Sequence, residues 1–313
     1  MTIVQLKYVL AVAQHRNFTR AAQSVFVTQP TLSMQIQKLE EELDVQIFDR
    51  SQKPIGLTET GEKLVEQARS IVDESERMQD IIDQAKGFIG GDFTVGIIPT
   101  VMPTLLPMFL KTFIDRYPRV RLHIKELTTQ AILEGLEKGT LDAAIAATPL
   151  NNDRVKEWVL YYEPFVAYLP QGHKLLSEQE VTPTALDDER MLLLQDGHCF
   201  KNSVMQICRN AAAVFDDQSF QLLSGSFETL VKLVDEGQGI TLLPYLNTLD
   251  LNEKQHGQVL HFTDPKPARE VSLIHSTTGL KMQIIEALRD SIAAVVRGAI
   301  AFQNVEIISP RAK

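Results

Sequence analysis

Residues 58–86 contain no proline and only one glycine, Gly61, which lies near the start of the segment. Apolar or small residues recur along it at alternating intervals of four and three, which is the spacing of a helix that packs against a partner helix. Gly87, Gly90 and Gly91 follow and predict a domain boundary. A long helix that starts near Thr58, a candidate cap, therefore separates a short N-terminal part from a much longer remainder.

The residues at this spacing form a stripe along the helix, here called the seam, which is mostly apolar but offers little surface for a partner helix. Its members are Leu64, Ala68, Ile71, Ser75, Met78, Ile82 and Ala85. We expect Leu64, Ala68, Ile71, Met78 and Ile82 to pair two copies of the chain. A helix that packs along its own domain is the alternative, since Ser75 and the two alanines bury little apolar surface.

The composition is that of an ordinary soluble protein. The 313 residues are 44% apolar and 23% charged, which is enough for two or three domains with buried cores. We see neither a secretory signal nor a transmembrane segment, and we expect a cytoplasmic protein without membrane contact. The net charge of -9 argues mildly against nonspecific nucleic-acid binding, but residues 1–60 are neutral, with six Lys and Arg against six Asp and Glu.

The first forty residues predict three helices. Apolar residues from Leu6 to Ala13 recur at helical spacing, and a short second helix begins at Phe18. Thr28 is placed to cap a third helix with Pro30 in its first turn. In that helix one narrow arc is apolar and predicted to be buried, and it consists of Leu32, Ile36, Leu39 and Leu43.

The opposite face of the third helix is small and hydrogen-bonding, as in a helix-turn-helix whose recognition helix reads the major groove. Residues 43–50 and 56–58 are compatible with a two-stranded wing beside it. The expected DNA contacts are Thr28, Gln29, Pro30, Thr31, Ser33, Met34 and Lys38, with Arg50 and Lys53 on phosphate. A three-helix protein-interaction domain is the alternative on pattern alone.

Beyond Gly91 the pattern alternates between strands and helices. We predict strands at 93–98, 120–124 and 141–146 and helices at 105–116 and 131–138, which form βαβ units with a mainly parallel sheet. Residues 191–194, a helix at 227–235 and a strand at 240–244 suggest a second such sheet. Residues 270–275 and an amphipathic helix at 282–297 are expected to return to the first sheet.

Cys199 and Cys208 are the only cysteines and stand nine positions apart. In one α-helix their Cα atoms would be roughly 13 Å apart, beyond the ~7 Å limit for a disulfide. A bond between them would therefore require the segment to unfold and would act as a switch. A helix that begins near Asn202 would place Cys199 just before its positive end, which favours a reactive thiolate. Two inert, buried thiols are the alternative.

Several motifs in order resemble the DNA-binding signature of LysR-type transcriptional regulators. They are 18–22 (FTRAA), 27–33 (VTQPTLS), 36–40 (IQKLE), 43–50 (LDVQIFDR) and 57–61 (LTETG), and 237–244 (GQGITLLP) resembles an element of LysR-type effector domains. The resemblance spans essentially the whole chain. It implies an all-α winged helix-turn-helix at 1–57, a linker and dimerisation helix at 58–90 and a regulatory domain at 91–313. The latter would have two α/β lobes of periplasmic-binding-protein type, lobe I at about 91–163 plus 268–313 and lobe II at about 164–267.

Within that family, residues 97–100 and 196–199 together with Cys208 resemble the members that sense hydrogen peroxide. The resemblance implies that Cys199 is oxidised to sulfenic acid and that Cys208 condenses with it. It places Thr100, Thr129, His198 and Arg269 around Cys199, with Asn202 as a further pocket residue. The threonines as helix caps, His198 as a turn residue and Arg269 as a surface ion-pair partner are the alternatives. Asn202 departs from the expected aspartate, so a proton relay there is in doubt.

The resemblance further implies a redox-responsive activator of the oxidative-stress response and not an enzyme. Its partners would be double-stranded promoter DNA, hydrogen peroxide as signal, RNA polymerase and further copies of the chain, as a dimer and then a tetramer. No cofactor is expected, and no metal either, because no second Cys/His cluster accompanies His198 and Cys199. A LysR-type sensor of a small metabolite and a thiol peroxidase are the competing interpretations.

Overall fold

The computed structural model describes residues 1–85, 89–195, 199–208, 225–277, 281–300 and 305–310, without the side chains of Gln79, Asp80, Asp83, Gln84 and Cys199. The chain divides into two compact units, Met1–Phe88 and Ile89–Lys313. No helix within the described ranges is long and apolar enough to cross a membrane.

The described helices and strands are numbered in chain order. The helices are α1 Ile3–His15, α2 Phe18–Ser24, α3 Gln29–Leu43, α4 Glu59–Ala85, α5 Met102–Arg116, α6 Thr129–Glu137, α7 Cys199–Ile207, α8 Phe227–Asp235, α9 Glu253–His256 and α10 Met282–Ala299. The strands are β1 Phe48–Asp49, β2 Gly56–Leu57, β3 Gly91–Ile97, β4 Val120–Glu126, β5 Ala143–Thr148, β6 Val155–Tyr168, β7 Glu180–Val181, β8 Thr241–Pro244, β9 Val259–Phe262, β10 Lys266–Ser276 and β11 Val305–Ile307.

The three N-terminal helices are confirmed. The Thr28 hydroxyl accepts a hydrogen bond from the Thr31 amide and caps α3, as the sequence predicts. Leu32, Ile36 and Leu39 are fully buried. Leu43 was expected to complete this stripe but is 37% exposed, because it is the last residue of α3, where Asp44 turns the chain away in the left-handed conformation.

The wing is a two-stranded antiparallel ribbon in which Phe48 pairs with Leu57. The Thr58 hydroxyl accepts from the Gly61 amide, so Thr58 caps α4 as predicted. A β-carbon at Gly61 would lie 2.0 Å from the carbonyl oxygen of Ile47, so only glycine lets α4 start this close to the wing.

Helix α4 has two parts with different environments. Leu64, Ala68 and Ile71 pack in the core of the N-terminal unit, whereas Met78 and Ile82 are exposed. The first half of α4 therefore packs along its own domain, which was the alternative to pairing between chains. In the second half, Met78 and Ile82 leave apolar surface uncovered. Pairing of two chains through this helix stays a prediction.

In the C-terminal unit, β3 pairs in parallel with both β4 and β5, as the βαβ pattern predicts. Helices α5, α6 and α10 contribute to the apolar core of this first lobe, which also contains β3 and β5. The described strands of the second lobe form a mixed sheet, because β8 and β9 run antiparallel to β6 whereas β7 runs parallel to β9. Residues 191–194 form no strand; Met191 makes one isolated bridge to Ile240.

Two long strands run through both lobes. The first part of β6 and β10 pair with each other, β10 pairs with β5 in lobe I, and the last part of β6 pairs with β8 and β9 in lobe II. The architecture is therefore two α/β lobes joined by crossing strands, as expected. The C-terminal residues differ from expectation: β11 pairs with Lys266–Ala268 and Ile308 packs on the core of lobe II.

Phe26 lies in the turn between α2 and α3 in an unfavourable environment. Its φ is 56° and its side chain is 96% exposed. A left-handed backbone costs a residue with a β-carbon roughly 1–2 kcal/mol, whereas asparagine tolerates it. We expect Phe26→Asn to raise the free energy of unfolding by about 1 kcal/mol, measured by denaturant titration. Phe26→Ala, which keeps the backbone penalty, is the control, and equal stability of the two variants would contradict the strain.

Candidate functional site

The predicted recognition surface of α3 faces outward. Thr28, Gln29, Pro30, Thr31, Met34 and Lys38 are exposed and Ser33 is half-buried. These side chains lie along the face of α3 opposite to Leu32, Ile36 and Leu39. The surface combines hydroxyls, an amide and one cation, which suits contacts to base edges and phosphates.

Arg50, predicted to touch phosphate, is also part of the wing's attachment to α3. Its guanidinium lies 2.9 Å from a carboxylate oxygen of Glu40 and 5.4 Å from the ring centroid of Phe18. The other oxygen of Glu40 accepts from the amides of Ile47 and Phe48. Glu40 thereby joins the recognition helix to the wing, and Arg50 is held half-exposed beside it. Lys53, at the tip of the wing, is exposed.

In the C-terminal unit, Cys199 is the first residue of helix α7, and Cys208 directly follows its last residue. The helix begins at Cys199, three residues earlier than the sequence suggested, and ends at Ile207. The Cys208 amide still donates to the carbonyl of Val204, so the helical turn includes Cys208. With the helix intact the two Cα atoms are roughly 13 Å apart, which excludes a disulfide in this conformation.

Cys208 lies in the core of lobe II and is fully buried. Burial, and secondarily the negative charge of Asp187, raise the pKa of its thiol from 9.0 to about 12. At neutral pH this sulfur is an uncharged thiol with no access to solvent, and such a thiol is not a nucleophile.

Arg269 is at the centre of a buried polar cluster between the crossing strands. It stands opposite Glu163 in the β6–β10 register, and its Nε and one terminal nitrogen donate to the same oxygen of Glu163 at 2.9 and 2.7 Å. Its two terminal nitrogens donate to the hydroxyl and the carbonyl of Thr100, each at 2.9 Å. The second carboxylate oxygen of Glu163 accepts from the Leu246 amide. Arg269 is therefore not a surface ion-pair residue, and Thr100 is not a helix cap.

Phe200 connects this cluster to α7. The guanidinium carbon of Arg269 lies 5.7 Å from the Phe200 ring centroid, a cation–π distance. Phe200 also packs against Phe165 and Phe227. Since Phe200 directly follows Cys199, the start of α7 lies near Arg269; the pocket expected around the Cys199 thiol stays a prediction.

The other predicted pocket residues have different surroundings. Thr129 is the first residue of α6 and is half-buried, while the cap is Thr128, so the cap role proposed for Thr129 is wrong. The Asn202 side chain donates to the Pro310 carbonyl. His198 and the side chain of Cys199 lie outside the described part of the chain.

Sequence reasoning missed Glu163 and Phe200. A signal for Glu163 was present, since it is the one charged residue in the otherwise uncharged run 158–169. Buried charges are paired, so a partner was to be expected. Tyr161 shares this environment: burial raises the pKa of its hydroxyl well above 10.0, the Glu163 carboxylate adds to the rise, and its oxygen has no hydrogen-bond partner among the described atoms.

No group of three His, Cys, Asp or Glu side chains among the described residues is arranged to hold a metal. The cluster around Arg269 offers a cation, hydroxyls and an aromatic face. Glu163 balances the charge of the Arg269 guanidinium, and Thr100 accepts from both of its terminal nitrogens.

Removing one partner of the buried ion pair between Glu163 and Arg269 should lower the free energy of unfolding. Glu163→Gln leaves the Arg269 charge without its counter-ion, and we expect the free energy of unfolding to fall by about 3 kcal/mol in urea titration. Glu134→Gln, which removes the partner of exposed Lys138 on α6, is the matched control and should change little. Similar losses in both variants would contradict the structural importance of the buried pair.

The burial of Cys208 predicts that the free energy of unfolding falls at alkaline pH. Because its folded pKa is raised, its contribution to stability is complete below pH 9.0 and is lost as the pH rises towards about 12. From pH 8 to pH 10 the wild type should lose about 1.4 kcal/mol more stability than Cys208→Ala. Urea titrations of both proteins at the two pH values measure this, and parallel losses would show that the thiol titrates normally.

Two family models match the chain, a bacterial regulatory helix-turn-helix protein of the lysR family at residues 3–62 and a LysR substrate binding domain at residues 86–297. A hydrogen peroxide-inducible genes activator of Pectobacterium carotovorum subsp. carotovorum is 35% identical over 298 residues, 95% of this chain and 98% of that protein. The DNA-binding transcriptional dual regulator OxyR of Escherichia coli (strain K12) is 34% identical over 299 residues, 95% of this chain and 97% of that protein.

Solved structures agree. A full-length OxyR variant from Pseudomonas aeruginosa superimposes with a TM-score of 0.78 at 32% identity and covers 94% of this chain and 98% of that chain. An H2O2-bound OxyR mutant of Corynebacterium glutamicum gives a TM-score of 0.60 at 29% identity and covers 97% and 98%. The predicted family and fold are thus confirmed: this chain belongs to the LysR family of bacterial helix-turn-helix regulators.

Proposed function

We propose that this chain is a transcription activator that senses hydrogen peroxide through oxidation of Cys199, which then forms a disulfide with Cys208. Residues 1–57 bind promoter DNA, residues 58–90 pair two chains and residues 91–313 sense the oxidant. The relatives support this proposal, because they include a hydrogen peroxide-inducible genes activator and the regulator OxyR, both similar to this chain over nearly its full length.

The chemistry proceeds in two steps. The Cys199 thiolate attacks one oxygen of hydrogen peroxide, the O–O bond breaks, and hydroxide leaves and takes a proton to form water, which leaves Cys199 as sulfenic acid. The Cys208 sulfur, once deprotonated, then attacks the Cys199 sulfur. The S–S bond forms, the S–O bond breaks, and the departing hydroxide takes up the proton as a second water. Peroxide is reduced by two electrons, and the two thiols are oxidised.

The observation that carries the proposal is the state of Cys208. It is fully buried, its thiol pKa is raised to about 12, and it lies at the end of the helix that Cys199 begins. The second step is therefore impossible while α7 is folded, because the sulfur is inaccessible and the Cα atoms are too far apart. Oxidation of Cys199 has to be followed by refolding of residues 199–208, which converts a chemical event into a conformational one.

Arg269 and Thr100 supply the polar setting for the first step. The Arg269 guanidinium lies near the start of α7 through its contact with Phe200, and there it favours the thiolate form of a cysteine to the extent that Glu163 leaves its charge unbalanced. By resemblance, Thr129 and His198 belong to the same pocket, whereas the Asn202 side chain donates to the Pro310 carbonyl.

On DNA, the exposed residues of α3 read the major groove and the wing contacts phosphate. Met78 and Ile82, with the neighbouring exposed Ile81, supply apolar surface for pairing of the α4 helices. A dimer would present two recognition helices to two half-sites, and two dimers would form a tetramer that contacts RNA polymerase. A regulator of this kind acts in the cytoplasm and has no catalytic turnover.

The test combines disulfide mapping with a DNA footprint. Peroxide-treated wild type, alkylated and digested, should yield a peptide that links Cys199 to Cys208, and its footprint should differ from that of the reduced protein. Cys199→Ser should give neither result, and Cys208→Ser should stop at sulfenic acid. A wild type without the linked peptide and with an unchanged footprint would favour the metabolite sensor, and sustained peroxide consumption with a thiol reductant would favour the peroxidase.

A further inference from the structure

The last described residues of the chain lie along α7. The Gln206 side-chain amide donates to the Ser309 carbonyl at 2.9 Å, and the Asn202 side-chain amide donates to the Pro310 carbonyl at 3.3 Å. Residues four apart in a helix share one face, so both amides present their donors to the same stretch of backbone. Pro310 is buried.

The same segment is attached on its other side to β10. Val305–Ile307 pair in parallel with Lys266–Ala268, and the Ile308 amide donates to the Ala268 carbonyl at 2.8 Å. The Ile308 side chain packs against the core of lobe II. Residues 305–310, here called the C-terminal clasp, therefore connect the strand of Arg269 to the helix that begins at Cys199.

The clasp contacts depend on α7 being helical. Asn202 and Gln206 both lie between the two cysteines in sequence, and only the helical repeat aligns their amides with successive carbonyls of the clasp. Bringing the cysteines within disulfide distance removes that alignment. The hydrogen bonds from Asn202 and Gln206 to the clasp therefore cannot persist together in a chain with a Cys199–Cys208 bond.

Asn202 has a chemical reason to be an amide. Its nitrogen is a donor, and a carboxylate at the same position would only accept and would repel the Pro310 carbonyl. The residue that departs from the expected aspartate is thus the one that the clasp requires.

We propose that the C-terminal clasp holds α7 in its helical, reduced form and is released when the disulfide forms, with Asn202 and Gln206 as the positioning residues. This rests on the proposed function, because it presupposes the bond between Cys199 and Cys208. The clasp makes the ease of oxidation a property of residues far from the thiols in sequence.

Hydrogen exchange of the full chain tests the release. Peptides that cover residues 305–310 should exchange at least about tenfold faster after stoichiometric peroxide than in the reduced protein, because backbone pairing to β10 is lost. Cys208→Ser, treated in the same way, should keep its protection. Unchanged protection in wild type that mass spectrometry shows to be disulfide-bonded would overturn the clasp alone, whereas absence of the bond would overturn the proposed function.

A paired variant tests the positioning role. In Asn202→Ala/Gln206→Ala the disulfide should form about tenfold faster from the sulfenic acid at saturating peroxide, since two hydrogen bonds no longer oppose unwinding. Met205→Ala truncates an exposed side chain of the same helix and is the matched control. Equal rates for the double variant and the control would assign Asn202 and Gln206 a merely structural role and refute the proposal.

Discussion

The ion pair between Arg269 and Glu163 is the interaction on which the regulatory unit depends. Both side chains are buried, and both belong to the two strands that the lobes share. Such a pair is stable only if its remaining donors and acceptors are satisfied, and here Thr100 and the Leu246 amide satisfy them. The pair therefore fixes how strand β10, the turn after β3 and the helical turn at Leu246 meet.

Helix α7 is held from two sides by consequences of that arrangement. Phe200 contacts the Arg269 guanidinium at the first turn, and the clasp accepts hydrogen bonds from Asn202 and Gln206 further along. Neither set of contacts is strong by itself. Phe200, Val204 and Ile207 are in addition buried in the core of lobe II, so the refolding in the proposed function has to offset the loss of this packing as well as the loss of both sets of polar contacts.

Local patterns sufficed for much of this fold. The Thr28 cap, the buried arc of α3 and the parallel βαβ order follow from spacing within a few residues, and the family resemblance singled out Arg269 and Thr100, which are joined by two hydrogen bonds. Spacing in the sequence could not reveal the contacts between residues that are distant in the chain. Glu163 and Arg269 lie 106 residues apart in sequence, and residues 305–310 reach the core of lobe II through contacts that no periodicity encodes.

The burial of Cys208 also gives the proposed reaction a direction. A thiol without solvent access and with a pKa of about 12 cannot be captured by small disulfides such as those of an oxidised thiol pool. Oxidising equivalents can consequently enter the cysteine pair from one end only, through Cys199. In the proposed reaction every oxidant, whether a peroxide or a small disulfide, would therefore have to react first at the first residue of α7.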